Sequence, residues 1–256
     1  MAHPSETIDG FQKGRFFVVQ PLGKGHRTGM DALVLAATVP AEFGGNLADF
    51  GSGAGAAGLA VASRCPRATI VLVERELEMA HFAAATLALA QNSHLRERSR
   101  FLRADVALTG MARIAAGLVD NSFDFVIMNP PFNQRDDRLT PDRLRQAAHV
   151  MNDTTFEHWL RSAAAVVKPS GSVALIARPQ SLAKILTALE GRFGGAEIVP
   201  VQPHAQAPAI RIIVRAKRGS RAKLALMPPL VIHEENGTYS NRADAVVNGE
   251  VSLFGD

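Results

Sequence analysis

Leu47-Ala48-Asp49-Phe50-Gly51-Ser52-Gly53-Ala54-Gly55 is the stretch on which the fold is decided. Leu47–Phe50 reads as a buried strand, and three glycines spaced by two follow it directly. A tight strand-to-helix turn needs φ values that a side chain disfavours, and a ligand lying against the backbone needs the Cβ absent. A plain turn would satisfy the first demand alone. The repeated glycine spacing right after a strand favours a ligand.

On either side of this unit, short apolar runs alternate with helix-like segments. Thr69–Glu74, Arg100–Asp105, Phe123–Met128, Ser172–Arg178, Glu197–Gln202 and Arg211–Ala216 read as further strands. Such continuous β-branched runs suit strands covered on both faces. Leu77, Ala80, Ala84 and Leu87 recur at helical spacing, and Thr154 with Glu157 has capping-box spacing ahead of Trp159, Leu160 and Ala163. Lys168-Pro169-Ser170-Gly171 supplies a stop and a turn. The alternation predicts an α/β fold with a doubly wound, mostly parallel, seven-stranded sheet of Rossmann-like type and right-handed crossovers. Pro200, Pro203 and Pro208 precede the run at Arg211, so the last two strands are expected to pair antiparallel. Residues 1–45 and 224–256 read as extensions of a core at 46–223, giving one domain over 1–256.

Composition narrows the class. The chain has 256 residues, 47% hydrophobic and 20% charged, which suits a packed core and excludes a disordered chain. One cysteine, Cys65, excludes a disulfide framework and a cysteine-based zinc site. The first residues lack the apolar core of a signal peptide, and no run approaches the ~20 apolar residues of a membrane span. A cytoplasmic protein that does not enter membranes is expected, and the sequence leaves the oligomeric state open, a homodimer included. The net charge of +4 permits a polyanionic partner without demanding one.

Two cofactor classes suit the glycine turn. Gly53-Ala54-Gly55-Ala56-Ala57-Gly58 satisfies the G-x-G-x-x-G dinucleotide pattern, but Asp49 at the strand end would repel a pyrophosphate and welcome an ammonium group. Glu74 ends the next strand, 19 residues after Gly55, where a carboxylate can accept hydrogen bonds from ribose hydroxyls in either class. Asp105 is expected to end the third strand and face an adenine edge. The pattern Asp49-x-Gly51-x-Gly53-x-Gly55 resembles the first motif of class I S-adenosylmethionine (SAM) methyltransferases, which implies SAM as cofactor with Ser52 among its contacts.

The fourth strand ends in Asn129-Pro130-Pro131-Phe132. Paired prolines stop a ladder and stiffen a turn, but that leaves the preceding Asn and the following aromatic unexplained. N-P-P-[FY] is similar to the fourth motif of the amino-methyltransferases. Gly25–Leu33 and Tyr239-Ser240 resemble segments of one of their subfamilies, the bacterial tRNA (adenine-N6) methyltransferases that act beside the anticodon of a valine tRNA. That resemblance implies tRNA as partner, Thr28 among the cofactor contacts, and Asn129, Pro130 and Phe132 as the catalytic set. Phe132 stands where that subfamily often carries Tyr; only a hydroxyl is lost.

The chemistry of the motif agrees with nitrogen methylation. An adenine amine is a poor nucleophile because its lone pair is delocalised into the ring. Hydrogen bonds from that amine to the Asn129 side-chain oxygen and the Pro130 carbonyl would favour a pyramidal nitrogen, with rigid prolines fixing the geometry. Phe132 would stack on the flipped base. No metal is called for: Asp136-Asp137 within the charged stretch Gln134–Arg145 reads as a solvated loop, part of a lid with a helix starting at Thr140-Pro141. His149 and His158 read as surface or packing residues. Arg211–Lys223 carries six basic residues and no acidic one, and with Lys13–Arg27 it is the expected electrostatic footprint of a nucleic acid.

The alternatives are methylation of a small molecule or of a protein glutamine amide, a SAM-binding module without catalysis, and NAD-dependent dehydrogenation. The glutamine methyltransferases usually carry a helical recognition domain ahead of the fold, and the segment before Asp49 is short for one.

Overall fold

A computed structural model describes residues 6–22, 28–131 and 155–256. The Phe132, Gln134–Arg145, His149 and Thr154 readings, and Gly25-His26-Arg27, fall outside these residues.

The core is one sheet. Its strands are β3 (Asn46–Phe50), β4 (Thr69–Glu74), β5 (Ser99–Arg103), β6 (Phe123–Met128), β7 (Val167–Ala177), β8 (Phe193–Gln202) and β9 (Arg211–Arg218), with two-residue strands β10 (Ala225–Leu226) and β11 (Leu230–Val231). The order is β10-β8-β9-β7-β6-β3-β4-β5, with β11 also paired to β8. All neighbours are parallel except β9, which is antiparallel to both β7 and β8. The seven expected strands are present, and the two short ones extend the edge to nine. The Lys168–Gly171 turn is absorbed into β7, where Ser170 takes φ +63° and the register with β6 shifts. The third strand stops at Arg103, two residues short of Asp105.

Alternation along each strand feeds two apolar layers, which is why the strands read as unbroken apolar runs. Leu47, Ile70, Leu72, Ile127 and Ile213 face one layer with α1 (Met30–Ala36), α2 (Ala56–Arg64) and α3 (Leu77–Ala88). Ala48, Phe50, Val73, Met128 and Val214 face the other, with α6 (Thr155–Val166) and α7 (Leu182–Leu189); α4 (Ser93–Arg96) and α5 (Gly110–Ala115) are short connectors. Ala56 to Ala62 are all buried, so the alanine-rich α2 lies close on β4; a methyl on Gly58 would come within 2.5 Å of Leu72.

The flanking segments dock on this core. β1 (Glu6–Phe11) and β2 (Phe16–Pro21) form an antiparallel hairpin. The Val19 N–H donates to Thr86 Oγ1 at 2.9 Å, and the Asn92 amide bonds both backbone groups of Phe17. The C-terminal helix α8 (Asn241–Val247) is capped by Ser240 and packs on α1. Both oxygens of Glu157 receive the Arg192 guanidinium. Among the described residues no helix is long and apolar enough to cross a membrane.

Candidate active site

Parallel strands bring their C-terminal ends to one edge, so Phe50, Glu74, Arg103, Met128 and Ala177 lead into one set of loops. β3 sits at the switch in strand order, with β4 on one side and β6 on the other. Phe50 pairs with both Val73 and Met128, so the glycine turn and Asn129 leave the sheet on adjacent strands, spaced ~4.8 Å.

Gly51, Gly53 and Gly55 take φ of +67°, +54° and +96°. The turn is tied to β4: Gly51 N–H and Ser52 N–H donate to Val73 O, and Gly53 N–H donates to Glu74 Oε2 at 3.0 Å. Glu74 Oε1 accepts from Arg75 N–H and Glu76 N–H, so the strand-end carboxylate organises the turn beside it. Asp49 is 2% exposed and accepts from Gly58 N–H at 2.9 Å, beneath the turn and under the first turns of α2. Burial pushes its carboxyl up to about 7; the Gly58 N–H opposes that rise, and the charge of Glu74 adds to it. Asp105 caps its own loop through Ala107 N–H and pairs with Arg75.

Among the described residues, two polar atoms here are buried without a hydrogen-bond partner: Ser52 Oγ in the glycine turn and Asn129 Oδ1 at the end of β6. Burying a polar atom unsatisfied costs about 1–3 kcal/mol, so each is suited to a group that the described residues do not supply. Pro130 is buried behind Asn129 and Pro131 is half-buried.

Other expected residues lie elsewhere. Thr28 sits just before α1, its N–H held by Gln20 Oε1, with no hydrogen bond joining it to the glycine turn among the described residues. His158 is half-buried on α6. The basic segment is not a rim around the site. Antiparallel β9 places only Arg211 at the site edge, where it pairs with Asp31 at 2.9 Å. Lys217 and Arg218 pair in register with Ser172 and Phe193 at the opposite edge, and exposed Arg221 and Lys223 follow. Arg215 is held by Glu197 and Asp256 and lies over the Phe254 ring, while Arg218 donates to Asn121 and to Val167 O. Lys13 and Arg15 are in the hairpin turn, also away from the site, with Lys13 paired to Glu250.

Trp159 is the site neighbour that sequence reading placed only on a helix face. It projects from α6 onto the glycine turn, so that a methyl on Gly51 would lie 2.6 Å from its ring. Helical spacing shows that it shares a face with packed residues; nothing in spacing shows that the face meets Gly51.

The residues fit SAM. The turn presents backbone without Cβ atoms, Ser52 Oγ lacks a partner, and buried Asp49 has no cation beside it among the contacts that hold it. Fold and site together define a class, the SAM-dependent methyltransferases. Residues 27–203 match the methyltransferase small domain, and the chain belongs to that family. A solved structure from Agrobacterium tumefaciens, described as a predicted O-methyltransferase, superposes with TM-score 0.77 at 39% identity, covering 87% of this chain and 98% of that one. The tRNA1(Val) (adenine(37)-N6)-methyltransferase of Porphyromonas gingivalis is 25% identical over 231 residues, 88% of each chain. Ribosomal RNA small subunit methyltransferase C of Hahella chejuensis is 31% identical over 147 residues, and the match spans 34% of that protein.

Proposed function

We propose that this methyltransferase acts on the exocyclic amine of an adenine in tRNA, in the cytoplasm, with residues 1–256 as one domain. The observation that carries the reading is Asn129 Oδ1, a buried acceptor without a partner, one strand from the glycine turn. It suits an amine that brings its own donor. The likeness to the P. gingivalis enzyme across 88% of both chains supports adenine in tRNA as acceptor.

SAM, when bound, supplies an electrophilic methyl group. Asp49, Gly51, Ser52, Gly53, Gly55, Glu74 and Asp105 are the residues that would hold it. Asn129 Oδ1 accepts one amine N–H and the Pro130 carbonyl the other, which withdraws the nitrogen from ring conjugation and aims its lone pair. Phe132 stacks on the base. Orientation and fixed dipoles carry the catalysis, and the proton leaves to water.

A second reading has a specific observation behind it: the 39%-identical Agrobacterium structure is described as a predicted O-methyltransferase. One experiment separates the two. Bulk tRNA is incubated with methyl-labelled SAM and digested to nucleosides. N6-methyladenosine is the expected product, and its formation is lost in Asn129→Ala. An oxygen acceptor would give no N6-methyladenosine, leaving the tRNA unlabelled or labelled only on ribose hydroxyls, and would tolerate that substitution.

A further inference from the structure

Three rings stand at the site edge of the sheet and take no part in the proposed cofactor or catalytic set. β11 pairs in parallel with Val201 and Gln202, at the C-terminal end of β8. His233 follows, its N–H donating to Pro203 O at 2.9 Å, which places it beside His204. A short reversal through Gly237 at φ +83° brings Tyr239 opposite His233 in a β-bridge. His233 and Tyr239 stack with centroids 5.2 Å apart and planes 14° from parallel, and His204 lies 5.7 Å from His233, tilted by 40°.

The ladder is firmly held yet open. Ser240, next to Tyr239, donates from Oγ to Val231 O at 2.6 Å and from N–H to Ile232 O at 2.8 Å. Tyr239 is nonetheless 46% exposed, and His204 is exposed. Of the three, only His233 is half-buried, and its Nδ1 is buried without a partner. Tyr239 and His204 therefore present ring surface to solvent in an arrangement set before any ligand arrives.

Position and charge indicate the ligand. β8, which leads to His204, is three strand spacings from β6, and β11, which leads into His233, is a fourth, so the ladder lies about 14–19 Å from the Asn129 strand, or about four to six stacked nucleotides at ~3.4 Å each. Glu234 and Glu235 in the adjoining reversal are exposed and would repel phosphate. A base is therefore favoured over a backbone contact. We propose that His204, His233 and Tyr239 form a subsite on which an unpaired nucleobase of the RNA substrate stacks, near the methylated base. This rests on the tRNA reading and adds to it the means by which the substrate strand is held.

The test is steady-state methylation of a tRNA transcript by the full chain and its His204→Ala, Tyr239→Ala and Tyr239→Phe variants, with folding checked by thermal melting. KM for tRNA is expected to rise about ten-fold in Tyr239→Ala and less in His204→Ala, with kcat and SAM affinity unchanged. Tyr239→Phe keeps the ring and stays within about two-fold of the parent. The dependence of KM on salt keeps its slope in every variant, because no phosphate contact is lost. A KM for Tyr239→Ala within about three-fold of the parent overturns the subsite. If Tyr239→Ala fails to fold, exposed His204→Ala decides, by a rise in KM or its absence. If the parent itself leaves tRNA unmethylated, the tRNA reading falls and the subsite falls with it.

Discussion

The two edges of the sheet use charge in opposite ways. At the C-terminal edge, carboxylates are held by backbone N–H groups: Asp49 by Gly58, Glu74 by Gly53, Arg75 and Glu76, and Asp105 by Ala107. At the other edge, cations finish the fold. The Arg98 guanidinium donates to the carbonyls of Ala62 in the last turn of α2 and of Cys65 and Ala68 after it, Arg64 donates to Ala36 O and Val39 O, and Lys168 pairs with Asp124 at 2.8 Å. Asp49 and Glu74 shape the glycine turn, while Arg64 and Arg98 cap helix ends. A run of charge in a sequence thus becomes a surface only once strand direction is known. Antiparallel β9 carries most of its positive charge away from the site.

This contrast can be broken most severely at Asn129. Asn129→Ala is expected to lower kcat for methyl transfer by about 10²–10³, the usual cost of removing one preorganised polar group, with SAM affinity retained. Calorimetry beside single-turnover kinetics checks both halves. Next in size is Gly51→Ala. Its φ of +67° and the Trp159 ring 2.6 Å from the new methyl both oppose the substitution, so a destabilisation of about 1–3 kcal/mol and weaker SAM binding are expected, read by melting and calorimetry.

Asp49 gives a pH test. Its carboxyl, held near 7 by burial, keeps its proton in the folded chain where the unfolded chain has lost it. Raising the pH from about 4 through 7 therefore destabilises the cofactor-free fold through this group, by roughly 4 kcal/mol at most. An ammonium partner needs the carboxylate, so SAM affinity should fall about ten-fold per pH unit below 7, and Asp49→Asn should flatten that slope. A flat profile in the parent would leave Asp49 only its hold on Gly58. The smallest effect belongs to the far edge: Arg221→Ala with Lys223→Ala should change KM for tRNA less than about two-fold and leave its salt slope unchanged. A loss of one unit of slope or more would restore the basic segment as a phosphate contact.

What could be read in the sequence was local. Leu47–Gly55 and Phe123–Pro131 announce a strand, its end and a special turn within ten residues, and the fold places them side by side. What was hidden depends on partners far along the chain. The β1–β2 hairpin is fixed by Thr86 and Asn92, Glu157 pairs with Arg192, and Trp159 on α6 meets Gly51 in the glycine turn. The basic run at Arg211–Lys223 is plain in the sequence, but its distance from the site is set by the reversal between β8 and β9. Such pairings follow from topology, which local periodicity does not encode.

The central claim is that Asn129 Oδ1 receives the acceptor's amine. The most direct measurement is a crystal structure of the chain with S-adenosylhomocysteine and a substrate RNA. An adenine amine nitrogen about 2.6–3.2 Å from Asn129 Oδ1 is the predicted result. An oxygen acceptor in that place, or an Asn129 side chain turned away from the base, would contradict it.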